Sequence, residues 1–100
     1  MSKVIAILAT LDTKAAEANL MREEIESLGG KALIIDIGVV GKPGIEADIS
    51  RAEVIAKGGG SLEDLLIKPS REISGPFVTG GAKKTLIELI GKDAIHGVVT

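Results

Sequence analysis

The chain has 100 residues, of which 45% are hydrophobic and 26% charged, and this length and composition fit one small globular domain. Its 12 basic and 14 acidic residues give a net charge of −2, and Phe77 is the only aromatic residue, so neither phosphate-backbone binding nor base stacking by a nucleic-acid-binding protein is favoured. The absence of cysteine and the presence of a single histidine exclude disulfides, thiolate metal sites and multi-histidine metal sites.

The first predicted elements are a strand over residues 3–9 and a helix over residues 13–28. The strand is an almost unbroken apolar run, which is typical of a parallel strand covered on both faces, and it is too short to span a membrane. No signal peptide is apparent, so we expect a cytoplasmic protein without a membrane partner. Asp12 or Thr13 is the predicted N-cap of the helix. Helical spacing predicts a buried stripe made of Ala18, Met21, Ile25 and Leu28.

The middle of the chain predicts a second strand over residues 31–37, followed by a long glycine-containing loop over residues 38–48. Loops of this length are often functional. Ser50 and Glu53 form a capping-box pattern that predicts a short helix ending at residue 56 or 57. A second short helix is predicted over residues 61–67.

The last two predicted elements are a helix from about Pro76 to Gly91 and a strand that begins at about Ala94. Gly80 and Gly81 lower the helix propensity of the first of these and indicate close packing or a kink.

This order of elements predicts a three-layer, Rossmann-like or flavodoxin-like α/β fold. Right-handed crossovers give a parallel sheet of order 2-1-3 with helices on both faces. Because three parallel strands leave exposed sheet edges, we expect a fold that is incomplete or is completed by formation of a homo-oligomer. Residues 1–100 are interpreted as a single α/β domain or as the N-terminal part of a larger one.

The turn between the first strand and the first helix is the predicted binding site. Thr10, Thr13 and Lys14 supply two hydroxyls and an amine where a helix start also presents free N–H groups, which favours a phosphate or another anion. The alternative is a capped helix start with a solvated lysine. Asp12 is a candidate ligand of Mg²⁺, although the role of a plain N-cap is favoured.

Two residues at the end of the second strand are also candidates for the site. Asp36 lies where dinucleotide-binding folds place an acid that accepts hydrogen bonds from ribose hydroxyls, and its alternative role is to order the loop. Gly38 allows the backbone to approach a ligand, or simply allows a positive φ. No set of nucleophile, base and acid can be assembled, so no catalytic residue is predicted.

Two stretches of this chain, ATLDTKAAEANLMREEIESLGGKALIIDIGVVGKP and ADISRAEV, resemble a known family. This is the amino-terminal domain of the tomato mosaic virus resistance protein and its bacterial and archaeal relatives, the Tm-one-like ATP-binding domain proteins. That family opens with a strand, a Thr-x-Asp-Thr-Lys turn, a helix and an apolar strand that ends in Asp. The matching residues here are Thr10, Asp12, Thr13, Lys14 and Asp36. The likeness covers essentially the whole chain, but only the first part of the family domain.

The resemblance implies ATP as the ligand, with Mg²⁺ as a candidate companion. Thr10, Asp12, Thr13 and Lys14 would hold phosphate, and Asp36 and Gly38 would lie near the sugar. Two alternatives to a nucleotide-binding domain stay open. One is a structural, self-associating fragment without a ligand, and the other is the N-terminal half of an enzyme.

Overall fold

The computed structural model describes residues 3–67 and 69–100, in which three strands and four helices follow the predicted order. The strands are β1 (Val4–Ala9), β2 (Lys31–Asp36) and β3 (Gly97–Val99). The helices are α1 (Ala15–Ser27), α2 (Arg51–Lys57), α3 (Leu62–Ile67) and α4 (Arg71–Gly91).

The three strands form a parallel sheet of order β2-β1-β3, which confirms the predicted topology. β1 pairs with β2 along its full length, from Val4 opposite Lys31 to Ala9 opposite Asp36. The carboxyl ends of these two strands are therefore level with each other. β3 pairs with the first part of β1, beginning with Ile5 opposite Gly97.

Helices cover both faces of the sheet and bury two apolar clusters. Alternate residues of β1 point to opposite faces, as strand geometry requires. Ile7 packs with Ile34 and Ala18 beneath α1, whereas Ala6 and Leu8 pack on the other face. Residues of α2 and α4 complete that second cluster, and they are Val54, Ala82, Leu86 and Leu89. The domain is thus a three-layer α/β structure.

Helix α1 differs from its prediction at both ends. Its N-cap is Lys14, which makes no side-chain capping bond, so the predicted caps Asp12 and Thr13 are wrong. The carboxylate of Asp12 instead lies 3.4 Å from Arg51, a partner that is distant in sequence. Leu28, predicted on the buried stripe, is 82% exposed because it follows the last helical residue.

Helix α4 begins five residues earlier than predicted, at Arg71. The polar stretch before Pro76 is its first turn, because Ser74 is buried and its Oγ donates to the carbonyl of Ser70 at 2.8 Å. Pro76 lies inside the helix, where it removes one backbone donor without ending the helix.

β3 begins three residues later than the predicted strand. Asp93 has a positive φ of 56°, and the Ala94 N–H donates to Leu89 O at 2.8 Å, so residues 93–94 complete the turn after α4. The predicted capping box of α2 is confirmed, because Ser50 and Glu53 each accept a bond from the other's backbone.

The two edges of the sheet differ. The outer edge of β2 is covered by residues 48–49, where the Asp36 N–H donates to Ile49 O at 3.0 Å. The outer edge of β3 has no strand partner within the described part of the chain. Among residues 3–67 and 69–100, no helix has both the length and the apolar character needed to cross a membrane.

Candidate functional site

A cleft of about 620 Å³ opens at the carboxyl ends of β1 and β2. Three segments form its wall. They are the turn after β1, residues 37–40 after β2, and the first turns of α4 with the two residues before it. In open α/β sheets, ligands bind outside the carboxyl ends of the strands. The structure therefore has a cleft at the edge of the sheet where the sequence predicts the site.

The turn after β1 contributes Thr10, Asp12 and Thr13 to the wall of the cleft. The Oγ1 atoms of the two threonines lie 3.0 Å apart, and the N–H groups of Thr13 and Lys14 donate to Thr10 O at 3.1 and 2.8 Å. In the described part of the chain no side chain caps α1, so the first N–H groups of the helix have no side-chain acceptor there.

Lys14 lies outside the wall of the cleft, although the sequence groups it with the neighbouring threonines. Its side chain is 62% exposed, and its Nζ lies 3.5 Å from a carboxylate oxygen of Glu17. The structure therefore separates this ammonium group from the hydroxyls of Thr10 and Thr13.

Asp36 lies beneath the cleft and is only 1% exposed. Its Oδ1 accepts hydrogen bonds from the N–H groups of Leu11 at 3.3 Å and Gly38 at 2.9 Å, and its Oδ2 accepts from Arg51 Nε at 2.8 Å. The carboxylate therefore orders the two segments that follow β1 and β2, and it does not line the cleft.

Arg51 is a residue beside the candidate site that sequence reasoning missed. Its side chain is buried at the start of α2, and its Nη1 donates to the carbonyls of Val40 at 2.9 Å and Gly41 at 2.8 Å. Its Nη2 reaches Oδ1 of both Asp12 and Asp36 at 3.4 Å. One sequence signal could have indicated this network. Two carboxylates that follow adjacent parallel strands lie close together and need a shared cation.

The glycines after β2 allow the backbone to lie against this network. A Cβ on Gly38 would stand 2.7 Å from Arg51 Nη2 and 2.9 Å from Asp12 Oδ1. Gly41 has a φ of +78°, and a Cβ there would stand 2.8 Å from that of Asp12. Any larger residue would push the loop away from Asp12 and change the wall of the cleft.

The first turns of α4 supply another part of the wall, although the predicted helix begins only at about Pro76. Arg71 is exposed and is the cationic residue in the wall, whereas Asp12 is the anionic one. Ser70, the N-cap, makes no side-chain capping bond. The missed signal is the Ser70-Arg71-Glu72 sequence, which resembles a helix start but precedes a glycine and a proline.

Asp12 is the carboxylate in the wall that could contribute to a metal site. Within the described ranges, no three or more histidine or carboxylate side chains come together in a metal-binding arrangement. A Mg²⁺ ion held here would need most of its remaining ligands from phosphate oxygens and water, as is usual for this cation.

A family model described as "Uncharacterised protein family (UPF0261) N-terminal domain" matches residues 3–100. A UPF0261 protein of Clostridium tetani is 35% identical over 100 residues, which cover all of this chain and 25% of that protein. UPF0261 proteins of Brucella suis and Brucella melitensis are each 24% identical over 95 residues, which cover 95% of this chain and 23% of each protein. The chain thus spans about a quarter of the length of these relatives. No solved structure matches it.

These comparisons correct the resemblance drawn from the sequence. The family model that matches is the UPF0261 N-terminal domain, and the similar proteins carry the same family name. The assignment to the Tm-one-like ATP-binding domain proteins, which was based on the turn at Thr10–Lys14 and on Asp36, is therefore wrong. Short polar turns and acids at strand ends recur in many α/β folds, because the backbone N–H groups at each strand-to-helix junction need acceptors.

Proposed function

This chain belongs to UPF0261, an uncharacterised protein family, and on that premise we propose that it is a nucleotide-binding domain, with ATP as the first ligand to test. The observation that carries the proposal is the cleft at the carboxyl ends of β1 and β2. A cytoplasmic location is part of the same proposal and stays a prediction.

The size and lining of the cleft support a small, polar ligand with an apolar part. Its volume of about 620 Å³ lies in the range of small-molecule sites. Thr10 and Thr13 contribute hydroxyls from the turn after β1, and Arg71 contributes a guanidinium from the first turn of α4. Ile37, after β2, and Val78, in α4, add apolar surface to the lining. Phosphate oxygens would accept hydrogen bonds from the hydroxyls and the guanidinium, and a base would pack on the apolar residues.

The roles of the remaining predicted residues follow from their contacts. Asp36 would not bond to the ribose itself, because its Oδ1 already accepts hydrogen bonds from the N–H groups of Leu11 and Gly38. It would affect sugar binding only by holding these two backbone segments in place. Gly38 itself lines the cleft and brings the backbone close to the ligand. Lys14 would reach a phosphate only after leaving Glu17.

Calorimetric titration with ATP and Mg²⁺ tests this proposal. We expect saturable binding below millimolar nucleotide. Arg71→Met should weaken binding at least about tenfold, since a hydrogen bond to a charged group contributes roughly 1.5–3 kcal/mol. Lys14→Met should weaken it less, because Lys14 lies outside the wall of the cleft.

Lys84→Met is the matched control, because this exposed lysine of α4 does not line the cleft. Its affinity should equal that of the unaltered chain. No heat of binding up to several millimolar ATP, with the chain folded, would contradict the proposal.

Self-association is a second candidate function, and the open edge of β3 favours it. Val98 is an exposed apolar residue on this strand, and unpaired strand edges accept further strands. In sedimentation experiments we expect a dimer that Val98→Lys dissociates, since a charged edge residue opposes strand pairing. A monomer at all concentrations would exclude this candidate. The third interpretation, the N-terminal part of an enzyme, stays a prediction.

A further inference from the structure

The five N–H groups of Arg51 are all engaged by the protein. Nε donates to Asp36 Oδ2, and Nη1 donates to the carbonyls of Val40 and Gly41. The two N–H groups of Nη2 point to Asp36 Oδ1 and Asp12 Oδ1. A guanidinium has five donors, so Arg51 has none left for the second oxygen of Asp12.

Asp12 therefore differs from Asp36 in what it can offer a ligand. Asp36 is buried and both of its oxygens are bonded, whereas the side chain of Asp12 is 18% exposed and lines the cleft. Among the residues that the structure describes, no donor bonds to Asp12 Oδ2. An ionised carboxylate oxygen is an acceptor only, so its partner must be a hydrogen-bond donor or a cation.

The surroundings of Asp12 fix its position. Arg51 holds Oδ1, and the backbone of Gly41 lies so close that an added Cβ would stand 2.8 Å from the Asp12 Cβ. Two carboxylates share one guanidinium, so this side of the cleft keeps a net negative charge. That charge disfavours a phosphate beside Asp12 itself, whereas the threonine hydroxyls and Arg71 elsewhere in the lining can donate to one.

We infer that Asp12 is a specificity-determining residue of the cleft and accepts hydrogen bonds from the ribose hydroxyls of the nucleotide. The inference rests on the proposed function and adds to it the group that Asp12 recognises. The sequence pattern predicts that Asp36 binds the sugar, whereas this inference assigns sugar binding to Asp12, the carboxylate that follows β1. A site built to bond a hydroxyl discriminates strongly against an analogue that lacks it, because the buried acceptor is then left unpaired.

The test compares the affinities of ATP, 2′-deoxy-ATP and 2′,3′-dideoxy-ATP by calorimetry. The unaltered chain should bind ATP at least about tenfold more tightly than the dideoxy analogue. Asp12→Ala should reduce this ratio to about one, and Asp12→Asn, which keeps the shape and one acceptor, should reduce it partly. Glu24→Gln, at an exposed carboxylate of α1 that does not line the cleft, should leave the ratio unchanged. Circular dichroism shows whether each variant is folded.

The outcomes separate this inference from the proposed function. Binding of ATP and dideoxy-ATP with equal affinity by the unaltered chain overturns the inference and leaves nucleotide binding intact. A preference that disappears when Mg²⁺ is removed with EDTA also overturns it, because Asp12 would then act through the metal. Failure of all three nucleotides to bind overturns the proposed function and this inference together.

Discussion

Arg51 donates through each of its three guanidinium nitrogens, to two carboxylates and to the carbonyls of residues 40 and 41. The network connects the start of α2 to the segments after β1 and β2, which form two walls of the cleft. A buried ion pair adds little stability over an apolar pair of the same size, but breaking it is costly. We therefore interpret Arg51 as a residue that fixes the shape of the cleft.

Arg51→Met should destabilise the domain by about 3 kcal/mol, because it leaves the carboxylate of Asp36 buried without its cation. The free energy of unfolding in urea measures this change. Arg22→Met is the control, since within residues 3–67 and 69–100 the half-buried Arg22 bonds only to the nearby Asn19 and, at 4.0 Å, to the exposed Glu26, and such surface contacts contribute less than about 1 kcal/mol.

The double variant Arg51→Met/Asp36→Asn distinguishes two causes of this loss of stability, the uncompensated charge of Asp36 and the lost hydrogen bonds of Arg51. Its stability should exceed that of Arg51→Met, because the buried charge is gone. A double variant no more stable than Arg51→Met alone would show that the lost hydrogen bonds of Arg51, and not the uncompensated charge, determine the cost.

At the scale of elements, α2 and α4 cross with their backbones in close contact. A Cβ on Gly81 would stand 1.7 Å from Val54 O, and a Cβ on Gly58 would stand 2.0 Å from Phe77 O. These glycines let α4 lie on α2, from where Ala82 and Leu86 pack against the sheet cluster. The same packing places the first turns of α4 beside the cleft.

Gly81→Ala should destabilise the domain by about 1–3 kcal/mol, because the added methyl group forces α2 and α4 apart. Gly80→Ala is a matched control in the same helix, where a Cβ meets nothing within 4 Å. That variant should be more stable by up to about 1 kcal/mol, since alanine favours the helix over glycine. Equal effects of the two substitutions on the urea midpoint would contradict this account of the crossing.

A surface ion pair also joins α2 to α4. The hydrogen bonds from Lys57 Nζ to Glu88, at 2.7 and 2.8 Å, hold the pKa of this carboxyl below its ordinary value. A lowered folded-state pKa contributes stability above the unfolded pKa of about 4.3, and the contribution is lost as the pH falls through the folded value.

Glu88→Gln should therefore be less stable than the unaltered chain at pH 7, and this difference should shrink toward about pH 3. Urea midpoints at the two pH values measure it, and we expect a small effect because both side chains are nearly half exposed. Glu24→Gln, at an exposed carboxylate of α1, should change the midpoint little at either pH. A deficit of Glu88→Gln that persists at low pH would exclude the ion pair as its cause.

At the scale of the whole molecule, β1 is the central strand and lies between two helical layers. β2 is covered at its outer edge by residues 48–49, whereas β3 is short and, within residues 3–67 and 69–100, has no strand partner at its outer edge. Stability should therefore decrease from β1 toward β3.

Amide hydrogen exchange should be slowest in β1, at residues such as Ile7, and at least about tenfold faster in β3. If the chain self-associates through β3, protection of Val98 and Val99 should increase with protein concentration. Equal and concentration-independent protection of β1 and β3 would contradict the predicted gradient.

The sequence alone determined the order of the elements and the topology of the sheet, and it predicts a binding site at the end of β1, where the structure has a cleft. These features depend on interactions that repeat locally, such as the apolar run of β1 and the capping box of Ser50 and Glu53. The right-handed rule for crossovers then gave the sheet order 2-1-3.

Only the tertiary structure decided which polar residues line the cleft. Asp12 and Arg51 are 39 residues apart in sequence, and Asp36 and Arg51 are 15 apart, so no local pattern indicates that they pair. Arg71 enters the wall because α4 begins early and rests on α2 through Gly81. The physical reason is that a polar side chain bonds to whichever partner the packing of helices on the sheet brings within reach, whatever its distance along the chain.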